Sequence, residues 1–172
     1  MEPSDQTSKD AITREEHRTA SPPAHGTVPV HTGRAPSPAG HYAQAVRAGD
    51  FVYVSGQVPR APDGGYTPAD VRAETLLTLR NLAEISHAAG GGLGDVVKVT
   101  AYLARSEYFG EFNAAYAECF GGHRPARTTV VAGLREVKVE VDAVLHLPAP
   151  PAEGDARPPG GHRCKLPDEH EP

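Results

Sequence analysis

The sequence predicts an α+β domain of two layers, a mixed β-sheet carrying two helices on one of its faces. Three observations carry this reading. Val137, Val139, Val141, Ala143, Leu145 and Leu147 alternate with Lys138, Glu140, Asp142, Val144 and His146, the period of a strand with one buried face. Val71, Leu76, Leu79, Leu82, Ile85 and Ala89 recur at helical spacing and form one apolar stripe, interrupted only by Thr75. Gly49-Asp50 separates residues 43–48 from the aromatic and β-branched run 51–54, the pattern of a hairpin.

Taken in order, the hairpin's second strand ends at Ser55-Gly56-Gln57, where glycine lets another group approach the backbone closely. Pro59, Pro62 and Asp63-Gly64-Gly65 make residues 58–67 a loop. A long helix follows, with Thr67 as its N-cap, Pro68 at its first position and Asp70 at its positive end, and it stops at Gly90. Residues 96–103 form a half-buried or fully buried strand. A second helix starts at Ser106, buries Phe109, Phe112, Tyr116 and Phe120, and ends at Gly121-Gly122. Residues 127–132 and 137–147 close the domain as two strands, so that strands pair in hairpins at both ends. No helix remains to cover the second sheet face, and a symmetric oligomer is the expected solution.

Composition divides the 172 residues. Thirteen of the 17 prolines fall in residues 1–40 and 148–172, whereas all ten aromatics lie between Tyr42 and Phe120. Segments rich in proline, serine and charge bury too little apolar surface to offset the entropy of ordering them. Residues 1–38 are therefore expected to be a disordered extension, 39–147 the folded domain and 148–172 a disordered tail. Residues 41–147 hold 12 acids against 10 bases, which excludes the basic stripe that nucleic-acid binding needs. No apolar run is long enough to span a bilayer, the acidic N-terminus has no signal-like apolar segment, and two cysteines are too few for a disulfide framework. A cytoplasmic setting without membrane contact is expected.

Several residues suggest chemistry, each beside a plainer role. Arg127 follows Pro125-Ala126 at a stiff strand start. It offers a planar fork for a carboxylate, or it is a surface arginine paired with an acid. Glu140 and Asp142 lie side by side on the polar face of the last strand, suited to holding water and moving protons, or simply a solvated stripe. Ser55 and Gly56 line a pocket mouth or only end a strand. Gly90-Gly91-Gly92-Leu93-Gly94 follows a helix and precedes a strand, the reverse of a dinucleotide fingerprint, and is a turn. The histidines show no metal-ligand spacing, so no metal site is expected. Cys119 is expected to be a small core residue.

The segments Tyr42-Ala43-Gln44-Ala45, Gly49 to Gln57, Asp95 to Leu103, Phe112-Asn113-Ala114-Ala115-Tyr116, Pro125-Ala126-Arg127-Thr128 and Val139-Glu140-Val141-Asp142-Ala143 together resemble the RidA (YjgF-type) family. The resemblance implies a homotrimer of chorismate-mutase-like domains with clefts between subunits. It also implies cofactor-free hydrolysis of 2-aminoacrylate and its imine tautomers to 2-keto acids and ammonia. On the matching positions Arg127 grips the substrate carboxylate and Glu140 positions or activates water. Tyr42, Ser55, Gly56 and Asn113 complete the substrate site. The chain departs from the family pattern at His41, where proline is common, at Thr129, where the archetypal subgroup often has cysteine, and in the short link 132–136. The alternatives are a trimeric module that binds a small carboxylate without turnover, a relative acting on a different imine, the ribonuclease activity attributed to some relatives, and a partner-regulating role for the tails.

Overall fold

A computed structural model of the chain describes residues 26–148. The elements run β1 (Thr27–Val30), β2 (Ala45–Ala48), β3 (Phe51–Gln57), α1 (Val71–Ala88), β4 (Val96–Leu103), α2 (Phe109–Phe120), β5 (Ala126–Val131) and β6 (Val139–His146). Six strands form one sheet in the order β1-β2-β3-β6-β4-β5. Only β4 and β5 pair in parallel, joined through α2, and the remaining pairs are antiparallel. This is the two-layer α+β architecture that the periodicities predict.

The alternation in β6 sets the layers. Val139, Val141, Ala143 and Leu145 are buried, and they face Leu79, Leu82, Ile85, Phe112 and Phe120 of the two helices within one core cluster. Each large side chain fully buried here contributes roughly 1.5–3 kcal/mol. The hairpin between β2 and β3 turns at Gly49-Asp50, with Gly49 at φ 59, a left-handed conformation that costs glycine little.

Four expectations need correction. Residues 26–38 belong to the domain and not to a disordered extension. β1 pairs with β2, Ala35 is buried, and the buried Gln44 amide binds this segment. Its Nε2 shares its two hydrogens among the carbonyls of Thr32, Ala35 and Pro36 (3.1, 3.2 and 2.8 Å), while Oε1 accepts from the Thr32 amide at 2.7 Å. Backbone pairing and one buried amide order a stretch that has no aromatic residue to bury. The expectations for residues 1–25 and 149–172 lie outside the described residues.

Secondly, β5 and β6 do not form a terminal hairpin. β6 inserts between β3 and β4, because a strand whose inner face is wholly apolar is best accommodated in a central slot, with both edges hydrogen-bonded. Thirdly, α1 is capped by Asp70 and not Thr67, the Asp70 carboxylate accepting from the Ala73 amide at 2.7 Å. Lastly, Ser106 opens a short 3₁₀ turn that precedes α2, and Phe109 is half exposed.

Candidate functional site

The second face of the sheet carries no helix. A cavity of about 620 Å³ opens there, lined by Tyr42, Val46, Tyr53, Val54, Ser55, Gly56, Glu140 and Asp142. Its floor is shaped by a break in the β3–β6 ladder. Val54 pairs with Ala143 and Gln57 with Val141, so the register shifts across Ser55-Gly56. A bulge of this kind bends a strand and re-aims the groups beside it. Here it brings the Gly56 backbone against the Glu140 side chain. A Cβ built on Gly56 would lie 3.1 Å from the Glu140 carboxyl carbon and closer still to one carboxylate oxygen. Gly56 is thus the residue that leaves room for Glu140.

Glu140 is partly buried, and its pKa is raised above the ordinary glutamate value, first by burial and then by the charge of Asp142. Asp142 accepts a hydrogen bond from the Tyr102 hydroxyl at 3.0 Å. Ser55 donates its hydroxyl to the Ala43 carbonyl at 2.7 Å, and its amide donates to the Gln44 carbonyl at 3.0 Å, which ties the bulge to the start of β2. Tyr42 is half exposed at the rim, its hydroxyl accepting from the Ala39 amide at 3.1 Å.

Arg127 lies elsewhere. It pairs in register with Val99, whose side chain is buried under the helices, whereas Glu140 pairs with Tyr102 on the open face. Its guanidinium sits over the rings of Tyr116, Phe112 and Phe109 of α2, at 4.5, 5.4 and 6.0 Å from their centroids. One guanidinium nitrogen donates to Asn113 Oδ1 at 2.7 Å. The edge position of β5 leaves the fork reachable from outside.

The six expected residues therefore fall into two groups. Tyr42, Ser55, Gly56 and Glu140 meet on the open face, and Arg127 meets Asn113 on the helix face. A single chain does not bring the two groups together. Two features escaped the sequence reading. Periodicity alone places the aromatic shelf under Arg127 in the core, although the i, i+3, i+4, i+7 spacing of Phe109, Phe112, Asn113 and Tyr116 puts them on one helix face. The Tyr102–Asp142 bond depends on the β4–β6 register and left no local signal. Among the described residues no group of three His, Cys, Asp or Glu side chains is placed to hold a metal ion, and no helix is long and apolar enough to cross a membrane.

Comparison with known proteins shows the family. The family described as Endoribonuclease L-PSP matches residues 32–147, and the chain belongs to that family, the one that includes the RidA and YjgF proteins. A RutC family protein of Pyrococcus horikoshii is 40% identical over 120 residues, spanning 68% of this chain and 95% of the relative. The 2-iminobutanoate/2-iminopropanoate deaminase of Escherichia coli strain K12 is 39% identical over 120 residues, spanning 67% of this chain and 94% of the relative. The crystal structure of E. coli TdcF with bound serine superposes with a TM-score of 0.66 at 35% identity, covering 69% of this chain and 98% of that one.

Proposed function

We propose that this protein hydrolyses reactive 2-imino acids, of the 2-aminoacrylate and 2-iminopropanoate type, to 2-keto acids and ammonia, in clefts formed between the subunits of a homotrimer. One observation carries the reading. The chain holds two half-sites on opposite sheet faces, a carboxylate-binding fork at Arg127 with Asn113 and a proton-handling pocket at Glu140. Only a second copy can bring one half to the other. The apolar and aromatic groups exposed on the open face, Phe51 and Tyr53 among them, suit burial against a neighbouring copy.

In such a cleft Arg127 holds the substrate carboxylate with two charge-assisted hydrogen bonds. The iminium carbon is already electrophilic, so the main requirements are orientation and one managed proton. Glu140 takes a proton from water as its oxygen adds to the iminium carbon. Glu140 then returns the proton to the carbinolamine nitrogen, takes the hydroxyl proton as the carbon–nitrogen bond breaks and the ketone forms, and passes that proton to the departing ammonia, so that it ends ionised as it began. One water is consumed and one ammonium released, with no redox change. The raised pKa of Glu140 brings it nearer to the pH at which a general base works best. A cytoplasmic location belongs to the same proposal, as does independence from cofactors, metals and nucleic acid.

The test pairs two inactive chains. Arg127→Ala and Glu140→Gln proteins should each fail to accelerate pyruvate release from 2-iminopropanoate generated in situ. Refolded together in equal amounts, they should regain activity, since about a quarter of all clefts then carry both wild-type residues. Absence of recovery in mixed assemblies, with wild type active, contradicts the shared cleft. Wild type that assembles as a trimer but has no effect on imine hydrolysis contradicts the reaction and favours a small-carboxylate-binding module.

A further inference from the structure

The pocket holds an arrangement that the proposed reaction does not by itself require. Two carboxylates, Glu140 and Asp142, line one cavity, and only Asp142 is held by a side-chain hydrogen bond, from Tyr102 at 3.0 Å. Tyr102 stands directly opposite Glu140 in the β4–β6 register and reaches diagonally to Asp142. The hydroxyl is thus committed to the neighbour of the residue it faces.

The surrounding charges leave Asp142 as the group that acts on Glu140. From β6 the open face offers Asp142. From β4 it offers Tyr102, bonded to Asp142, and Lys98, whose ammonium donates to the Val99 carbonyl at 3.1 Å and to Thr128 Oγ1 at 2.6 Å. From β3 it offers Tyr53 and the neutral Ser55-Gly56 bulge, and from the segment before β2 it offers Tyr42. In the assembled cleft a second copy adds Arg127, whose charge the bound substrate carboxylate neutralises. Lys138 is turned away, to Glu74 and the Ala69 carbonyl.

We propose that Tyr102 and Asp142 are a positioning pair for Glu140: the tyrosine hydroxyl holds the Asp142 carboxylate in place in the cavity that Glu140 lines, and the held carboxylate tunes the proton transfer that Glu140 carries out. The proposal rests on the functional reading above only for its catalytic consequence. Tyr102's own pKa is raised chiefly by the bond to Asp142, consistent with a neutral hydroxyl donating to a charged carboxylate. Loss of the Asp142 charge makes Glu140 easier to ionise. Loss of the Tyr102 hydroxyl leaves the Asp142 charge less compensated and makes Glu140 harder to ionise. The two substitutions therefore act in opposite directions, which general loosening of the pocket does not produce.

The experiment is a ¹³C NMR titration of the Glu140 carboxyl in the full-length assembled protein, with Glu140→Gln to assign the resonance. In an Arg127→Ala background, which removes the second copy's guanidinium from the cleft, the midpoint should lie above that of an ordinary glutamate. It should move down in Asp142→Asn, move up in Tyr102→Phe, and stay raised in Asp142→Glu, which keeps the charge. The acid limb of the kcat profile on 2-iminopropanoate should move in the same directions. An unmoved midpoint in Asp142→Asn, or a lowered one in Tyr102→Phe, overturns the pair. Midpoints that move as expected in a protein that hydrolyses no imine leave the pair standing and remove the substrate assignment.

Discussion

Replacing Gly56 by alanine separates the architecture of the pocket from its chemistry. Gly56 is not among the glycines with positive φ, so the backbone accepts a side chain there without strain. The atoms nearest the added methyl all belong to Glu140, with its Cδ at 3.1 Å and its Cγ at 3.4 Å, and the methyl overlaps one carboxylate oxygen. The end of a glutamate can rotate away at roughly 0.5–1.5 kcal/mol. For a domain of this size that lowers Tm by roughly 2–8 °C. The catalytic effect should be far larger, because moving a reacting group by about 1 Å can cost on the order of 100-fold in rate. Gly56→Ala should therefore fold, assemble and bind substrate analogues, but lose kcat by about two orders of magnitude in the coupled pyruvate assay. Stability should be measured in parallel, with Gly56→Ala also placed in a Glu140→Ala background, where the methyl has space and should cost nothing. Wild-type kcat in Gly56→Ala, or an equal stability loss in both backgrounds, would refute the argument that this glycine exists to admit Glu140.

Two further predictions concern stability. Glu74 is buried at 1% exposure and accepts from the Lys138 amide (2.7 Å), the Lys138 ammonium (2.9 Å) and the Tyr66 hydroxyl (2.9 Å), which ties α1 to the start of β6. Lys138→Met should destabilise the protein by about 2–3 kcal/mol in chemical denaturation, less than a fully buried pair because the lysine is partly exposed, and Glu74→Gln added to it should restore part of the loss. The Tyr116 hydroxyl is buried without a hydrogen-bond partner, and burial raises its pKa from 10.0 to about 12. Between those values the folded state holds a proton that the unfolded state has lost, so stability is fully present below pH about 10 and falls as pH rises toward 12, by up to roughly 2–3 kcal/mol. Tyr116→Phe should abolish that alkaline decline and stabilise the protein by about 1 kcal/mol at neutral pH. An unchanged alkaline denaturation curve would exclude Tyr116 as its source.

The sequence alone determined the features that local periodicity encodes. The alternation of residues 137–147 placed Val139, Val141, Ala143 and Leu145 on the buried face and Glu140 and Asp142 on the other, and the structure has them there. The helical stripe of α1, the Gly49-Asp50 turn and the bounds of β4 were legible for the same reason, since each follows from neighbours within a few residues. The segment at 26–38 was not legible. Residues 27–30 pair with β2 and residues 32–36 are bound by the Gln44 amide, contacts that composition does not register.

Tertiary structure alone decided where the candidate groups meet. That β6 lies between β3 and β4, that the ladder shifts at Ser55-Gly56, and that Tyr102 reaches Asp142 all depend on which strands pair and in what register. The separation of Arg127 from Glu140 has the same origin. Both sit on strands with period-two exposure, but nothing local in β5 states which face Arg127 takes, because an edge strand is half exposed on both sides. Its parallel register with β4, set by the crossover through α2, turns Arg127 toward the helices. A strand's sequence specifies that its side chains alternate; only its pairing with a distant segment specifies which of them share a face.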